Sequence, residues 1–398
     1  MRSCSRSAVA LAVALVAAVL AAGAGATGGP DPGFGYGPDV RTARAVIQCQ
    51  ALGRNDRRYR ACLTDAFTRL VISSRDSADE LPRIDRYVHR VGGFIEANCH
   101  VLMHAVGRRY AKHVHLTLGR LLHYLPKSND AGCSAGFGHG LLMELGPQIV
   151  QFGPTGAAVE CHKAPTRYQR YSCIHGLGHA YMRLYGETIP FALDQCRALG
   201  PRDAQDCAQG AYHDYWISVA GLDATHRPRD PVTSPRALCG RQPLEFVRAC
   251  WYRALLERPP AKTVDSTRTV LAVCRGLQAL QHGACLTGAA LISSPDPFEQ
   301  MRICAGLRSA AAASCVRGVR APAVALNKPD VQVKLIRDCA NFDHSAQHGC
   351  YLWLGKALNV VTNGHFEHDG CPQLRYDATR AACGAGASSY EGPLQTFS

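Results

Sequence analysis

The sequence predicts an all-α fold, an array of helical hairpins that are each held by a disulfide, similar to an α-solenoid. Three observations predict it. Cysteines occur in pairs that enclose ten to twelve residues, the second cysteine of each pair recurs about every 35 residues, and apolar residues follow spacings of three and four. A period of about 35 residues accommodates two helices and a turn, but is too short for a βαβ unit with its connections.

The beginning of the chain is typical of a secretory signal peptide. An apolar run covers 8–22, behind two arginines, and small residues follow it up to Ala26. A retained membrane anchor is disfavoured, because the run is shorter than the roughly 20 residues that a spanning helix needs. We therefore predict a signal peptide at 1–26, a secreted or otherwise extracytoplasmic protein, and no membrane span once the signal is removed.

The cysteines are consistent with an oxidising compartment. The chain has 19 cysteines, and Cys4 lies in the predicted signal, which leaves an even number in an exported protein and favours disulfides. The alternative, metal thiolate chemistry, is poorly supported because no Cys-x-x-Cys occurs. Spacing predicts eight local pairs, and the two remaining cysteines are paired with each other. The nine predicted bonds are Cys49–Cys62, Cys99–Cys133, Cys161–Cys173, Cys196–Cys207, Cys239–Cys250, Cys274–Cys285, Cys304–Cys315, Cys339–Cys350 and Cys371–Cys383.

The net charge is strongly basic. It is +13, or +11 without Arg2 and Arg6 of the predicted signal. Such a charge would suit an acidic partner, nucleic acid or an anionic cell surface. The basic residues are spread along the chain without a run of five, so a solvated basic surface is the favoured interpretation, and there is no specific signal for nucleic-acid binding.

The chain divides by composition into three parts after the signal. Residues 27–40 are rich in glycine and proline and are predicted to be a flexible leader. Residues 41–155 are predicted to be an N-terminal helical region that carries the first histidine motifs, with helices at 76–91 and 94–111. Residues 156–398 are predicted to be the cysteine-paired repeats.

The pattern Cys-x10-Cys-x-x-Gly resembles the cysteine-rich Sel1-like repeats, which are relatives of the tetratricopeptide repeat. In that family a disulfide joins the two helices of each unit, and the resemblance covers Cys161 to Cys383. It implies an extracellular scaffold with a concave face for a protein or peptide partner. Arg253 replaces the glycine in one unit, and the histidines belong to no consensus of that family. The matching glycines are Gly176, Gly210, Gly288 and Gly318.

Histidines recur at one position of the repeat. With the second cysteine of a unit as position zero, His139, His179 and His213 all occupy position six of three successive units, and glycine occupies position three. The two positions lie near each other on a helix face, at about 100° per residue. Equivalent positions of stacked helices face the same way, so we expect these imidazoles to converge, with glycine leaving space between the backbones.

Two further groups strengthen this signal. His104 follows His100 by four residues, and His179 follows His175 by four; such pairs lie about 6 Å apart on one helix face and chelate one ion. We predict a metal site for zinc, copper or iron. Glu144 and Asp214 are candidates for a base or an outer-shell group. The predicted ligands are Glu96, His100, His104, His139, His175, His179 and His213.

Three classes of function fit this pattern. The first is a secreted protein with a histidine-rich metal-binding pocket in its N-terminal half. The second is a metal-dependent hydrolase or oxidase, in which the same pocket keeps a ligand position open for water or substrate. The third is a metal-free extracellular interaction scaffold, in which each histidine packs beside a glycine and bonds a backbone carbonyl. A serine hydrolase is disfavoured, because no strand is predicted before Ser134 in its Gly-x-Ser-x-Gly motif.

Overall fold

The described part of the chain is α-helical apart from turns, bends and short 3-10 helices. The computed structural model describes residues 36–388 except 51, 53–56, 75–76, 128–131, 187, 223–230, 258–265, 295, 320–327 and 362–369. The predicted signal peptide and residues 27–35 of the predicted leader lie outside the described residues. The chain divides into two units, Met1–Val40 and Arg41–Ser398, and the second contains the helical array.

The described residues contain nineteen α-helices and no strand, which confirms the all-α prediction. The first ten are α1 (Tyr36–Gln50), α2 (Arg57–Ser73), α3 (Ser77–Val91), α4 (Gly93–His113), α5 (Leu121–Tyr124), α6 (Cys133–Glu144), α7 (Gly146–His162), α8 (Arg167–Leu184), α9 (Ile189–Arg197) and α10 (Pro201–Val219). The others are α11 (Pro235–Cys239), α12 (Val247–Glu257), α13 (Thr267–Cys274), α14 (Ala279–Leu291), α15 (Pro297–Ala305), α16 (Ser309–Val316), α17 (Pro329–Ala340), α18 (His344–Val361) and α19 (Asp377–Ser388). The 3-10 helices are Leu118–Arg120, Leu244–Phe246 and Cys371–Gln373.

The helices of the second unit form an inner row and a set of outer helices. In the inner row each helix packs against the next, in the order α2, α4, α6, α8, α10, α12, α14, α16, α18 and α19. From α7 onward, each outer helix packs against the inner helix that follows it in sequence. The row continues through the predicted boundary at residues 155 and 156, which falls inside α7. Residues 36–40 of the predicted leader lie in α1, which begins at Tyr36.

Disulfides hold each hairpin at its turn, and all nine predicted bonds are present. Eight of them join cysteines that are 11 to 13 positions apart in sequence. The ninth, Cys99–Cys133, joins two neighbouring inner helices, α4 and α6. Bonds of this number are typical of an oxidising compartment. No helix in the described part of the chain has both the length and the apolar character needed to cross a bilayer.

Glycines allow the inner helices to approach each other closely. At Gly136 and Gly210, both at position three of their units, an added Cβ would overlap the backbone carbonyl oxygen of His100 and of His175, respectively, on the preceding inner helix. The same overlap would occur at Gly318 with Thr287. Backbones this close gain dispersion and Cα–H···O contacts, and they leave little freedom in how one helix lies on the next.

We expect Gly210→Ala to lower the free energy of unfolding by about 1–3 kcal/mol, because the added methyl forces α10 away from α8. Guanidinium unfolding of the oxidised protein measures this change. The matched control is Gly384→Ala in α19, where an added Cβ meets no atom within 4 Å. That change should be neutral or stabilising by up to about 1 kcal/mol. Equal effects of the two substitutions would contradict the role given to the close contact.

Candidate metal centre

Four successive inner helices carry six histidines toward one point. α4 and α8 each contribute a pair separated by one helical turn, and α6 and α10 each contribute one residue from position six. The six residues, called the histidine cluster below, are His100 and His104 of α4, His139 of α6, His175 and His179 of α8, and His213 of α10.

Local sequence fixes where two of these helices begin. At the start of α8 the Thr166 hydroxyl accepts a hydrogen bond from the Gln169 backbone N–H at 3.1 Å, and the Gln169 side chain returns to the Thr166 backbone. Before α10, Gly200 has a φ of 85°, which favours glycine, and Pro201 occupies the first helical position. These boundaries set the rotation of each helix, and hence the face on which its histidines lie.

The six imidazole rings contact one another directly. Centroids of neighbouring rings lie 4.7 to 6.1 Å apart. The candidate ligand atoms of His100, His104, His139 and His179 lie within 4.8 Å of one another, and so do those of His175, His179 and His213. Sets of this kind can hold a metal ion after small side-chain movements.

The cluster lies in the interior of the inner row. His100 is half-buried, and the other five members are buried, His179 completely. Burial lowers the pKa of these five imidazoles well below the usual value, and the positive charge of Arg253 lowers it further in His139, His175, His179 and His213. The rings are therefore neutral near pH 7, and each one has a nitrogen lone pair.

Three imidazoles hold one nitrogen against a group that only accepts hydrogen bonds. The pairs are His100 Nδ1 with the Gly132 carbonyl oxygen at 3.1 Å, His179 Nδ1 with Asp214 Oδ1 at 3.2 Å, and His213 Nε2 with Glu257 Oε1 at 3.2 Å. Since a carbonyl or a carboxylate cannot donate, the ring must donate its N–H. The second nitrogen of each neutral ring then carries the lone pair, the arrangement that metal-binding histidines adopt.

The remaining nitrogens meet inside the cluster. His139 Nδ1 lies 3.3 Å from His100 Nε2, and His175 Nε2 lies 3.3 Å from His179 Nε2. Two nitrogens bound to one tetrahedral zinc ion, each about 2.1 Å from it, are about 3.4 Å apart. Among the described residues, several buried nitrogens have no hydrogen-bond partner: both of His104, Nδ1 of His175 and Nδ1 of His213.

Sequence reasoning missed two charged residues of this site, Arg253 and Glu257 of α12. Arg253 is buried, and its guanidinium lies 3.4 Å from His175 Nε2 and 3.6 Å from Glu257 Oε1. The signal that marked it was the broken repeat pattern, because Arg253 stands where most units have glycine. Glu257, one turn later, gave no signal in the sequence. Beside them, the Tyr171 ring lies 5.6 Å from His175, and burial raises the pKa of its phenol.

The two acidic residues predicted as a base or an outer-shell group, Asp214 and Glu144, lie in different surroundings. Asp214, proposed as an outer-shell group, accepts from His179 and also lies 3.4 Å from the Arg183 guanidinium. Glu144 instead pairs with Arg108 and Lys112, at 3.7 and 3.6 Å.

Glu96 is the one predicted ligand that the structure does not bring to the cluster. Its carboxylate is exposed and lies 2.9 Å from His89 Nδ1. Glu96 stands in the first turn of α4, one turn before the crossing with α6 at His100, so its side chain reaches solvent. The i, i+4 spacing of Glu96 and His100 predicted a shared helix face, but it did not reveal that Glu96 lies outside the contact between α4 and α6.

A comparison of the chain with protein-family models, with curated proteins and with solved structures finds no match. The fold and site define an all-α, disulfide-linked protein with a buried histidine cluster. All eighteen cysteines in the described part of the chain form disulfides, so the donors available at the cluster are imidazole and carboxylate groups. Imidazole donors suit zinc, copper, iron and nickel.

We expect the metal-free protein to lose stability as the pH falls from about 7 to about 5. The unfolded chain binds protons at the usual histidine pKa near 6.5, whereas the buried imidazoles have lower pKa values. The unfolded state therefore binds more protons in this window, and the free energy of unfolding falls by up to about 1.4 kcal/mol per pH unit for each histidine that stays neutral. Denaturant unfolding of chelator-treated protein at several pH values measures it.

The same titration with His179→Gln should show a shallower slope, while the variant of an exposed histidine, His113→Gln, should match the parent protein. A stability that is constant across this window would contradict the buried neutral state of the rings.

Proposed function

We propose that the protein is an exported metal-binding protein whose histidine cluster holds a transition-metal ion. The observation that carries the proposal is the convergence of candidate ligand atoms: those of His100, His104, His139 and His179 lie within 4.8 Å of one another, and so do those of His175, His179 and His213. Asp214 fixes the lone pair of His179 on Nε2, which lies 3.3 Å from His175 Nε2. Arg253 also lies at hydrogen-bond distance from His175 Nε2.

The rest of the cluster supports the same conclusion. Buried polar nitrogens without partners cost about 1–3 kcal/mol each, and a bound ion would remove this cost at His213 Nδ1 and at one of the two nitrogens of His104. A metal-free scaffold would leave it in place. The nine disulfides and the predicted signal peptide support export, and the disulfide-joined hairpins support a relationship to Sel1-like repeats.

A metal-dependent hydrolase or oxidase at the same site is the second candidate. Two observations favour it: His100 is half-buried, so the cluster is not sealed on its side, and the buried guanidinium of Arg253 would stabilise an anionic substrate or intermediate beside the ion. This function requires a ligand position that is open to water or substrate. Turnover of model phosphate or carboxylate esters, or oxygen consumption, by the metal-loaded protein tests it.

We expect the purified, oxidised protein to retain a stoichiometric transition metal after dialysis near neutral pH. His104→Gln should lower the affinity by more than the about 10–100-fold that loss of an outer-shell partner costs, because it removes a ligand. Elemental analysis and metal titration measure both effects. The matched control is His113→Gln, an exposed residue on the same helix, which should bind like the parent protein. Absence of any bound ion after reloading would remove both metal-dependent functions.

We expect Asp214→Asn to weaken metal binding by about 10–100-fold while leaving the fold intact, since the amide no longer supplies the negative charge that orients His179. Competition with a chelator of known affinity measures the change. As a control, Asp65→Asn removes a carboxylate that is half-exposed and pairs with Arg109, and it should have no effect. Unchanged affinity in Asp214→Asn would contradict the outer-shell role given to Asp214.

A further inference from the structure

We infer that the disulfide between Cys99 and Cys133 is a positioning element of the metal centre, so that metal binding and the oxidation of this one bond are linked. This inference rests on the proposed function. The other eight bonds in the described part of the chain join cysteines 11 to 13 positions apart. Cys99 and Cys133 are 34 positions apart, and their bond joins the neighbouring inner helices α4 and α6.

The bond lies directly beside a histidine of the cluster. Cys99 precedes His100 in α4, and Cys133, the first residue of α6, follows Gly132. His100 Nδ1 donates a hydrogen bond to the Gly132 carbonyl oxygen at 3.1 Å. The disulfide and this hydrogen bond therefore connect the same two short segments, 99–100 of α4 and 132–133 at the start of α6.

The hydrogen bond decides which nitrogen of His100 can bind an ion. The carbonyl of Gly132 only accepts, so Nδ1 carries the proton and Nε2 carries the lone pair. His100 Nε2 lies 3.3 Å from His139 Nδ1, inside the cluster. If the Gly132 carbonyl moved away, the ring could rotate or adopt the other tautomer, and the lone pair would no longer be fixed toward the ion.

The disulfide is the covalent tie that keeps Gly132 at this place. Gly132 precedes α6 and has no side chain that could anchor it. Asp85 accepts hydrogen bonds from the Ser134 hydroxyl and from the Ser134 backbone N–H, the latter at 3.1 Å, and so ties the start of α6 to α3 rather than to α4. Without the disulfide, the approach of Gly132 to His100 would depend on noncovalent packing alone, such as that of Gly136.

His100 is the histidine of the cluster that most needs such a tie. It is half-buried, whereas the other five members are buried. A ring at the edge of a cluster has fewer packing contacts to hold its orientation than a ring in the interior. The two cysteines beside it are themselves buried, so they anchor the edge of the cluster to the core.

The coupling between the bond and the ion acts in both directions. If the disulfide raises the metal affinity by some factor, the bound metal favours the disulfide over the two thiols by the same factor. Loss of an outer-shell partner lowers metal affinity by about 10–100-fold, and we expect a coupling of this size. The protein would then bind its ion most tightly after the bond has formed in an oxidising compartment.

Zinc titration of the oxidised full-length protein, in competition with a chelator of known affinity, tests the inference. Cys99→Ala combined with Cys133→Ala should lower zinc affinity by about 10–100-fold. Cys304→Ala combined with Cys315→Ala removes the bond between α15 and α16 and should bind zinc like the parent protein. In a His100→Gln background, removal of the bond between Cys99 and Cys133 should cause no further loss, since the bond acts through that ring.

A second measurement uses the parent protein without any substitution. A water-soluble trialkylphosphine reduces a disulfide to two thiols and becomes a phosphine oxide, with the oxygen supplied by water. Differential alkylation and mass spectrometry give the rate for each bond. Zinc should slow the reduction of Cys99–Cys133 by at least about tenfold and leave that of Cys304–Cys315 unchanged. This result decides the question even if a variant does not fold.

Four results would overturn the inference. They are parent-like zinc affinity without the Cys99–Cys133 bond, equal losses in the two paired alanine variants, an undiminished loss in the His100→Gln background, and equal protection of both bonds by zinc. Each of these leaves the proposed metal-binding function intact, whereas the absence of any bound transition metal in the parent protein removes that function as well.

Discussion

The close approach of successive inner helices is the constraint on which the other features of this protein depend. Glycine at position three brings the backbone of one helix against a carbonyl of the preceding one, as Gly136 does at His100 and Gly210 at His175. Helices at this distance project their position-six side chains into the same small volume. A larger residue at position three would separate the helices and move the imidazoles beyond the reach of a common ion.

The disulfides stabilise the individual hairpins, whereas the glycines allow neighbouring inner helices to pack closely. A bond that closes a loop of about ten residues stabilises a hairpin by about 2–3 kcal/mol in the chain-entropy description, which helps units that bury little apolar surface alone. The bond between Cys99 and Cys133 is different, because it joins two inner helices. It fixes the second turn of α4 beside the first turn of α6, next to His100, and so places the histidines of α4 within the row even though α4 does not follow the repeat pattern.

The buried histidines of the described residues all lie in the first half of the inner row. Position six carries histidine in α6, α8 and α10, but Leu256 in α12, Leu291 in α14 and the buried Lys356 in α18. Arg253 and Glu257 of α12 stand at the transition between these two regions. The histidine cluster therefore occupies the first half of the array, and the ion pair of α12 borders this cluster.

The sequence by itself determined the helical class, the nine disulfides and the six histidines that meet, because these follow from spacing along the chain. Cysteine pairs encode hairpins, and a residue that recurs at one position of a repeat lies on one side of the stack. The tertiary structure alone decided that Glu96 turns to solvent and that Glu257 and Arg253 reach the cluster. These features depend on where helices cross and on side-chain direction at each crossing, and a one-dimensional period carries neither.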